Sequence, residues 1–195
     1  METATKTIVA VQGETTWHAL VPRLLREHGS RTVAEVGVWR GELSRKILTH
    51  CPRVSSLLLV DAWTPVYAND PTQGWMVFGP GTDQAEMDDA YGRVCAQFAG
   101  NPRVTIRKGL SVDVAQRVPD GSLDAVLIDA LHTYHACKAD LLAWVPKVKV
   151  GGVLIGDDLS EWFPGVQVAV EAVFSSDYRA LGQTYWKLIT EDDHV

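Results

Sequence analysis

The chain has 195 residues, 46% of them hydrophobic and 22% charged, and a net charge of −6 at neutral pH. That length suits a single domain, residues 1–195, with a full-sized core, and the acidic balance argues against a nucleic-acid partner. No apolar run approaches the roughly 20 residues of a membrane span, and residues 1–12 lack the long apolar stretch of a secretion signal.

Taken in chain order, Trp17, Leu20, Val21, Leu24 and Leu25 repeat at helical spacing and predict an N-terminal helix within residues 1–30 that ends near Gly29. Pro22 must sit near its first turn or kink it. Thr32 to Val36 reads as a buried strand and Gly41 to Cys51 as a helix with Leu43, Ile47 and Leu48 on one face. Val54 to Val60 is a second strand, ending at Asp61. Residues 63–82, rich in Pro, Gly, Asn and aromatics, form the longest loop, of a length that usually serves a site. Met87, Tyr91, Val94, Cys95 and Phe98 mark a helix stopped by Gly100-Asn101-Pro102, and Arg103 to Arg107 is a short strand. Ser111 to Val118 reads as a short helix with Ser111 as its cap. Leu123 to Ile128 is an apolar strand ending at Asp129. Cys137, Leu141, Trp144, Val145 and Val148 define a helix that Gly151-Gly152 breaks, and Val153 to Gly156 is the next strand, ending at Asp157-Asp158. Pro164 opens a helix carrying Val166, Val170, Val173 and Phe174. Tyr178 to Leu181 and Thr184 to Thr190 flank a turn and suggest a closing hairpin. Strands alternating with helices predict an α/β fold, a mostly parallel sheet covered on both faces with an antiparallel edge. Cys51, Cys95 and Cys137 are odd in number and lack Cys-x-x-Cys spacing, which fits buried thiols in a reducing, cytoplasmic setting.

Chemistry collects at the strand ends. The run Glu35-Val36-Gly37-Val38-Trp39-Arg40-Gly41 places an acid and a Gly-x-x-x-Gly turn between strand and helix, where backbone N–H groups can approach a ligand. Glu35, read as an ionised acceptor, suits an ammonium or hydroxyl partner. The spacing is wrong for Gly-x-Gly-x-x-Gly and no Walker lysine follows, which argues against a nicotinamide-dependent oxidoreductase. Asp61 can accept hydrogen bonds from a ribose diol or cap the next helix. Ser111 can read an adenine edge or serve only as a cap. Asp129, Asp157 and Asp158 leave neighbouring strands about 5 Å apart. Three carboxylates there repel unless protonated or joined by a cation, and an oxygen-only set favours Mg²⁺, Mn²⁺ or Ca²⁺ over Zn²⁺. His132, read as lying at a helix start three residues beyond Asp129, can take a proton from a hydroxyl or merely cap or orient. His18, His28, His50 and His194 read as surface residues. Trp63, Tyr67, Trp75 and Phe78, with Trp162 and Phe163, either wall a pocket or pack the loop, and Trp39 either covers a ligand or anchors the turn.

Glu35 to Gly41, Asp61 and Asp124-Ala125-Val126-Leu127-Ile128-Asp129 together resemble a class I S-adenosylmethionine-dependent methyltransferase. Ile128-Asp129-x-x-His132-x-Tyr134, Lys149-Val150-Gly151-Gly152-Val153, Gly156-Asp157-Asp158 and Pro164-Gly165-Val166 resemble its macrocin O-methyltransferase and cephalosporin-hydroxylase-like branch, over roughly residues 31–174. The resemblance implies a Rossmann-like seven-stranded sheet, S-adenosylmethionine as methyl donor, a Mg²⁺ site and a small-molecule acceptor whose hydroxyl is methylated. It implies that Glu35, Gly37 and Gly41 line the methionine part of the donor, that Asp61 holds the ribose, that Ser111 and Asp129 join the donor site, and that Asp129, Asp157 and Asp158 hold the metal. The N-terminal helix is expected to cap the acceptor side, with residues 63–82 as an active-site loop. Where this branch carries Asp-Gly-Asp, the chain has Asp129-Ala130-Leu131, and Leu131 cannot take a proton. That leaves His132, which stands where catechol methyltransferases have a lysine, or metal activation alone. A metal-independent methyltransferase and a non-catalytic S-adenosylmethionine-binding protein are the alternatives, and self-association is left open.

Overall fold

The computed structural model describes residues 16–65 and 83–194. Six α-helices and seven strands follow in the order α1 (Trp17–Glu27), β1 (Thr32–Val36), α2 (Glu42–His50), β2 (Ser56–Asp61), α3 (Gln84–Phe98), β3 (Val104–Lys108), α4 (Ser111–Ala115), β4 (Leu123–Ile128), α5 (Tyr134–Trp144), β5 (Val148–Gly156), α6 (Pro164–Phe174), β6 (Arg179–Leu181) and β7 (Thr184–Leu188). The strands form one sheet in the order β3-β2-β1-β4-β5-β7-β6. The five strands β1 to β5 run parallel, whereas β7 is antiparallel to both β5 and β6. The strand order reverses between β1 and β4, and a parallel sheet of this kind offers its ligand crevice outside the carboxyl ends at that point.

Alternate residues of the central strands feed two cores. Val33, Leu57, Leu59, Ala125, Leu127, Val153 and Ile155 join the apolar faces of α1, α2 and α3. Ala34, Val36, Val60, Val126, Ile128 and Leu154 join those of α4, α5 and α6. This is the period-2 alternation of strands buried on both faces. Among the described residues, no helix is long and apolar enough to cross a membrane.

Four local expectations need correction. The helix read through Val148 ends at Trp144, and a 3-10 turn over Val145–Lys147 containing Pro146 leads directly into β5. Gly151-Gly152 therefore lies inside that strand, not before it. The pairing with β4 jumps there, from Leu123 opposite Val148 to Ala125 opposite Val153. A Cβ on Gly152 would meet the Asp124 carbonyl oxygen at 2.7 Å, so the bulge needs a residue without a side chain. Ser111 is the first residue of α4 and not its cap, which is Leu110. His132 precedes α5, whose cap is Thr133. Pro22 lies well inside α1 and is buried in that helix's packing face.

Candidate functional site

A cleft of about 580 Å³ opens at the carboxyl edge of the sheet, lined from β1 and its turn, β2, the β3–α4 connection, the segment after β4, and α1. That volume is in the range of small-molecule and cofactor sites. Glu35, Glu42, Asp61, Asp129 and Asp140 line it together with His18 and His132, and among the described residues no Lys or Arg does. The cleft therefore favours a cationic ligand over a phosphate-bearing one.

The turn after β1 is built on Gly37, with φ +88°. A Cβ there would fall 1.7 Å from the Asp129 carbonyl oxygen, so the glycine lets β1 and β4 exit side by side. The Gly37 N–H donates to the Val60 carbonyl at 2.9 Å. Gly41, φ +74°, caps α2; a Cβ there would meet Phe98 and Val94, and it is not among the residues that line the cleft. Asp61 lines the cleft but also braces its wall. Its Oδ2 accepts from the N–H groups of Val38 and Trp39 at 2.8 and 2.9 Å, and its Oδ1 from Trp63 N–H at 2.8 Å. Of about four acceptor positions on a carboxylate, one remains for a ligand hydroxyl. This bracing has no signal in the sequence, because it joins a strand end to a turn more than twenty residues earlier.

Glu35 is buried and accepts the Ser44 hydroxyl at 2.7 Å. Burial, aided by the charges of Asp129 and Asp61, pushes its carboxyl up to about 8. Burial thus favours the protonated form, which can donate as well as accept, beside the acceptor role expected from the sequence. Trp63 is fully buried, donates from Nε1 to the Trp39 carbonyl at 2.8 Å and packs tilted against Tyr91, so it fastens the end of β2 to the glycine turn and does not wall the cleft. Trp39 lines the cleft with the Arg40 guanidinium 4.3 Å from its ring centre. Trp162 is 68% exposed. Tyr67, Trp75 and Phe78 lie outside the described residues. His18, expected on the surface, is half-buried and lines the cleft beside Trp17.

The expected trio of Asp129, Asp157 and Asp158 is rearranged. Ligand atoms of Asp129, His132 and Asp158 lie within 4.8 Å of one another. His132 Nε2 is 2.7 Å from Asp158 Oδ2 and 3.7 Å from Asp129 Oδ1. Burial would lower the His132 pKa, but the two carboxylates outweigh it and raise it to about 9. Asp157 lies outside this group because its Oδ1 accepts the Thr184 hydroxyl of β7 at 3.1 Å. Burial and the charges of Asp129 and Asp158 push its carboxyl up to about 7. The His132 ring packs on Phe163, 4.4 Å between centres, which fixes the imidazole over the carboxylates.

The carboxylate oxygens of Asp129 and Asp158 are a donor pair that a divalent cation accepts, with the His132 nitrogen beside them free to handle a proton. The His132 Nε2 is buried without a well-aligned hydrogen bond, and its 2.7 Å approach to Asp158 is an ion pair. The residues present fit a metal ion.

Ser111 lines the cleft, and its hydroxyl accepts Trp144 Nε1–H at 2.8 Å. Asp140, also in the lining, is a buried carboxyl that burial raises to about 6, with the Ser111 hydroxyl acting to lower it. Asp140 was not legible in the sequence as a site residue, since its helical spacing marks only a position facing inward.

A family model described as a methyltransferase domain matches residues 34–159. No curated protein matches the chain. Solved structures do. An O-methyltransferase assigned in Klebsiella pneumoniae is 15% identical with a TM-score of 0.63, covering 94% of this chain and 84% of that one. The calicheamicin methyltransferase CalS11 is 18% identical, TM-score 0.62, with 87% and 77% covered. A Staphylococcus aureus protein assigned as a caffeoyl-CoA O-methyltransferase is 16% identical, TM-score 0.60, with 92% and 84% covered. At these identities the likeness shows a shared fold.

Proposed function

The chain belongs to the methyltransferase-domain family, whose methyl donor is S-adenosylmethionine, and on that premise we propose that it methylates a hydroxyl oxygen of a small molecule. The observation that carries this reading is the meeting of Asp129, His132 and Asp158 at the edge of an acidic cleft floored by the glycine turn. The cleft's carboxylates suit the positive charge of a sulfonium and an amino group. Trp17 and His18 bring α1 to the same cleft, which supports its role as a cap on the acceptor side.

In the proposed reaction the acceptor oxygen attacks the methyl carbon, the carbon–sulfur bond breaks toward sulfur, and S-adenosylhomocysteine leaves. The acceptor O–H proton goes to the imidazole of His132 once that ring is neutral, a form that is the minor one near pH 7 with the pKa raised to about 9 and that grows as pH rises. Asp158 and Asp129 stabilise the imidazolium that results, and Phe163 holds the ring in place. Water exclusion and alignment of oxygen, methyl and sulfur fall to the apolar wall of Val38, Trp39 and Leu131. A divalent cation held by Asp129 and Asp158 would neutralise the charge that keeps His132 protonated and would polarise the acceptor hydroxyl. The closed His132–Asp158 contact favours a second reading, a metal-independent enzyme in which the pair acts alone and turnover rises with pH toward about 9 as His132 loses its proton.

Calorimetry with S-adenosylhomocysteine, with and without Mg²⁺ or Mn²⁺, tests the proposal. Donor-product binding with methyl transfer to a hydroxylated acceptor supports it. Transfer that survives exhaustive chelation selects the metal-independent form. Binding without transfer across a broad acceptor panel makes the chain a binding protein, and absence of binding overturns the proposal.

A further inference from the structure

The segment between β5 and α6 brings Asp158 to 2.7 Å from His132 Nε2 and packs Phe163 on the same ring. Asp158 does so with φ +63°, a left-handed conformation that a residue with a side chain adopts only where its surroundings impose it. Neither flanking element imposes it, since β5 ends at Gly156 and α6 begins at Pro164. The constraint comes from the turn between β6 and β7. Before Asp158, the Asp157 carboxyl Oδ1 accepts the Thr184 hydroxyl at 3.1 Å, and the Asp157 N–H donates to the Ile128 carbonyl at 3.2 Å. After Asp158, the Leu159 N–H donates to the Gln183 carbonyl at 2.8 Å. Two consecutive residues of one turn thus hold the residues on either side of Asp158.

Thr184 is 1% exposed and is not among the residues that line the cleft. A buried hydroxyl requires a hydrogen-bond partner, and Asp157 is that partner. The strand behind it gives it a fixed base. Thr184 opens β7, and the next residue, Tyr185, pairs with Gly156 of β5. A Cβ on Gly156 would collide with the Tyr185 ring, so the glycine lets β7 lie close against the end of β5. Further along β7, Lys187 is buried and pairs with Asp177 at 2.7 Å and Asp193 at 3.0 Å, which fastens the strand to the segment before β6 and to the turn after β7. We propose that Thr184 is a positioning residue for the His132–Asp158 pair: its hydroxyl and the Gln183 carbonyl fix Asp157 and Leu159 and so aim Asp158 at the imidazole. The bearing of this clamp on methyl transfer rests on the role proposed above for His132.

The test follows exchange of the His132 ring N–H with water by NMR of the full chain at pH 7, the signal being assigned by its loss in His132→Ala. Thr184→Val keeps the shape of the side chain and removes the hydroxyl, and Thr184→Ser keeps the hydroxyl. Exchange in Thr184→Val is expected to be on the order of tenfold faster than in the wild type, the factor for one lost hydrogen bond, with Thr184→Ser within about threefold of the wild type. A Thr184 that serves stability alone would lower the urea midpoint and leave the exchange rate unchanged, and that result overturns the proposal. A wild type whose ring N–H is unprotected overturns it as well. Should Thr184→Val fail to fold, Asp157→Asn and Asp157→Ala decide. The first still offers an oxygen to Thr184 and should keep slow exchange, the second offers none and should lose it, and equal rates in the two overturn the clamp. Calorimetry with S-adenosylhomocysteine separates the two readings. Binding with unchanged exchange removes only the assignment of Thr184, whereas faster exchange without binding keeps the clamp and removes the methyl-transfer reading.

Discussion

Three side chains decide how the cleft behaves, and each does so through a partner distant in sequence. His132 is set between Asp158 and Asp129 and clamped by Phe163. His132→Ala is expected to lower turnover by about 10² to 10⁴ while leaving S-adenosylhomocysteine affinity within a few-fold, checked by single-turnover kinetics beside calorimetry. Asp61 satisfies three backbone N–H groups of the two turns it joins. Asp61→Ala is therefore expected to weaken donor-product binding and also to destabilise the fold by on the order of 2–4 kcal/mol, visible in urea melts of the ligand-free protein. Glu35 carries a carboxyl raised from 4.5 to about 8 by burial. Its folded-state pKa lies above the unfolded one, so its contribution is intact below about pH 4.5 and is lost as pH rises toward 8. Glu35→Gln, which keeps an uncharged hydrogen-bonding group beside Ser44, should leave stability nearly unchanged near pH 4.5 and raise it relative to wild type at pH 8–9. Thermal melts across that range check the sign.

At the level of elements, the glycine turn and the start of β4 hold the sheet edge in register. Gly37 lines the cleft and is also a crossing point, since a side chain there collides with the Asp129 backbone. Gly37→Val is therefore expected to lose folded protein, and it tests packing before it tests binding. At the opposite edge of the sheet, Asp124 accepts from the N–H groups of Arg31 and Thr32, from the Thr32 hydroxyl and from Lys149 Nζ. It ties β1, β4 and β5 together where β4 begins. Burial opposes its charge, but the Lys149 and backbone contacts prevail and hold its carboxyl down to about 2. That shift, from 3.8 to about 2, corresponds to about 2 kcal/mol of stability. The contribution is present above about pH 4 and is lost as pH falls toward 2. Asp124→Asn should remove it at pH 7 and make the acid limb of the stability profile shallower, as measured by denaturant titration at a series of pH values.

The described residues form two apolar cores separated by one sheet, and the cleft draws its lining from both sides. Trp17, Val38 and Leu43 belong to one core, and Val36, Val60 and Ile128 support the other. A donor product seated across the strand ends touches elements from both, so it should stabilise the domain as a unit. At a concentration 100 times its Kd, S-adenosylhomocysteine contributes about 2.7 kcal/mol, which for a domain of this size raises Tm by roughly 5–10 °C. NAD at the same concentration should give no shift, because the turn lacks the dinucleotide glycine spacing. A thermal-shift series with both ligands checks this.

Much of this architecture was legible from periodicity alone. The apolar runs of β1, β2 and β4 and the spacing of Leu43 with Ile47, or Val166 with Val170, mark strand and helix because burial imposes periods of 2 and 3.6 on the chain. The acids at the strand ends were legible for the same reason: a carboxylate directly after an apolar strand must lie at the sheet edge. What tertiary structure decided is where those acids point. Asp157 turns to Thr184 on an antiparallel strand, and Asp158 turns to His132 with φ +63°, so adjacent residues go to different partners. The bulge in β5, the bracing role of Asp61, the protonation of Glu35 and the arrival of Asp140 at the cleft likewise depend on contacts between elements far apart in the chain. Local pattern records which residues are buried. Hydrogen-bond partners and local dielectric are set only once the distant elements have packed.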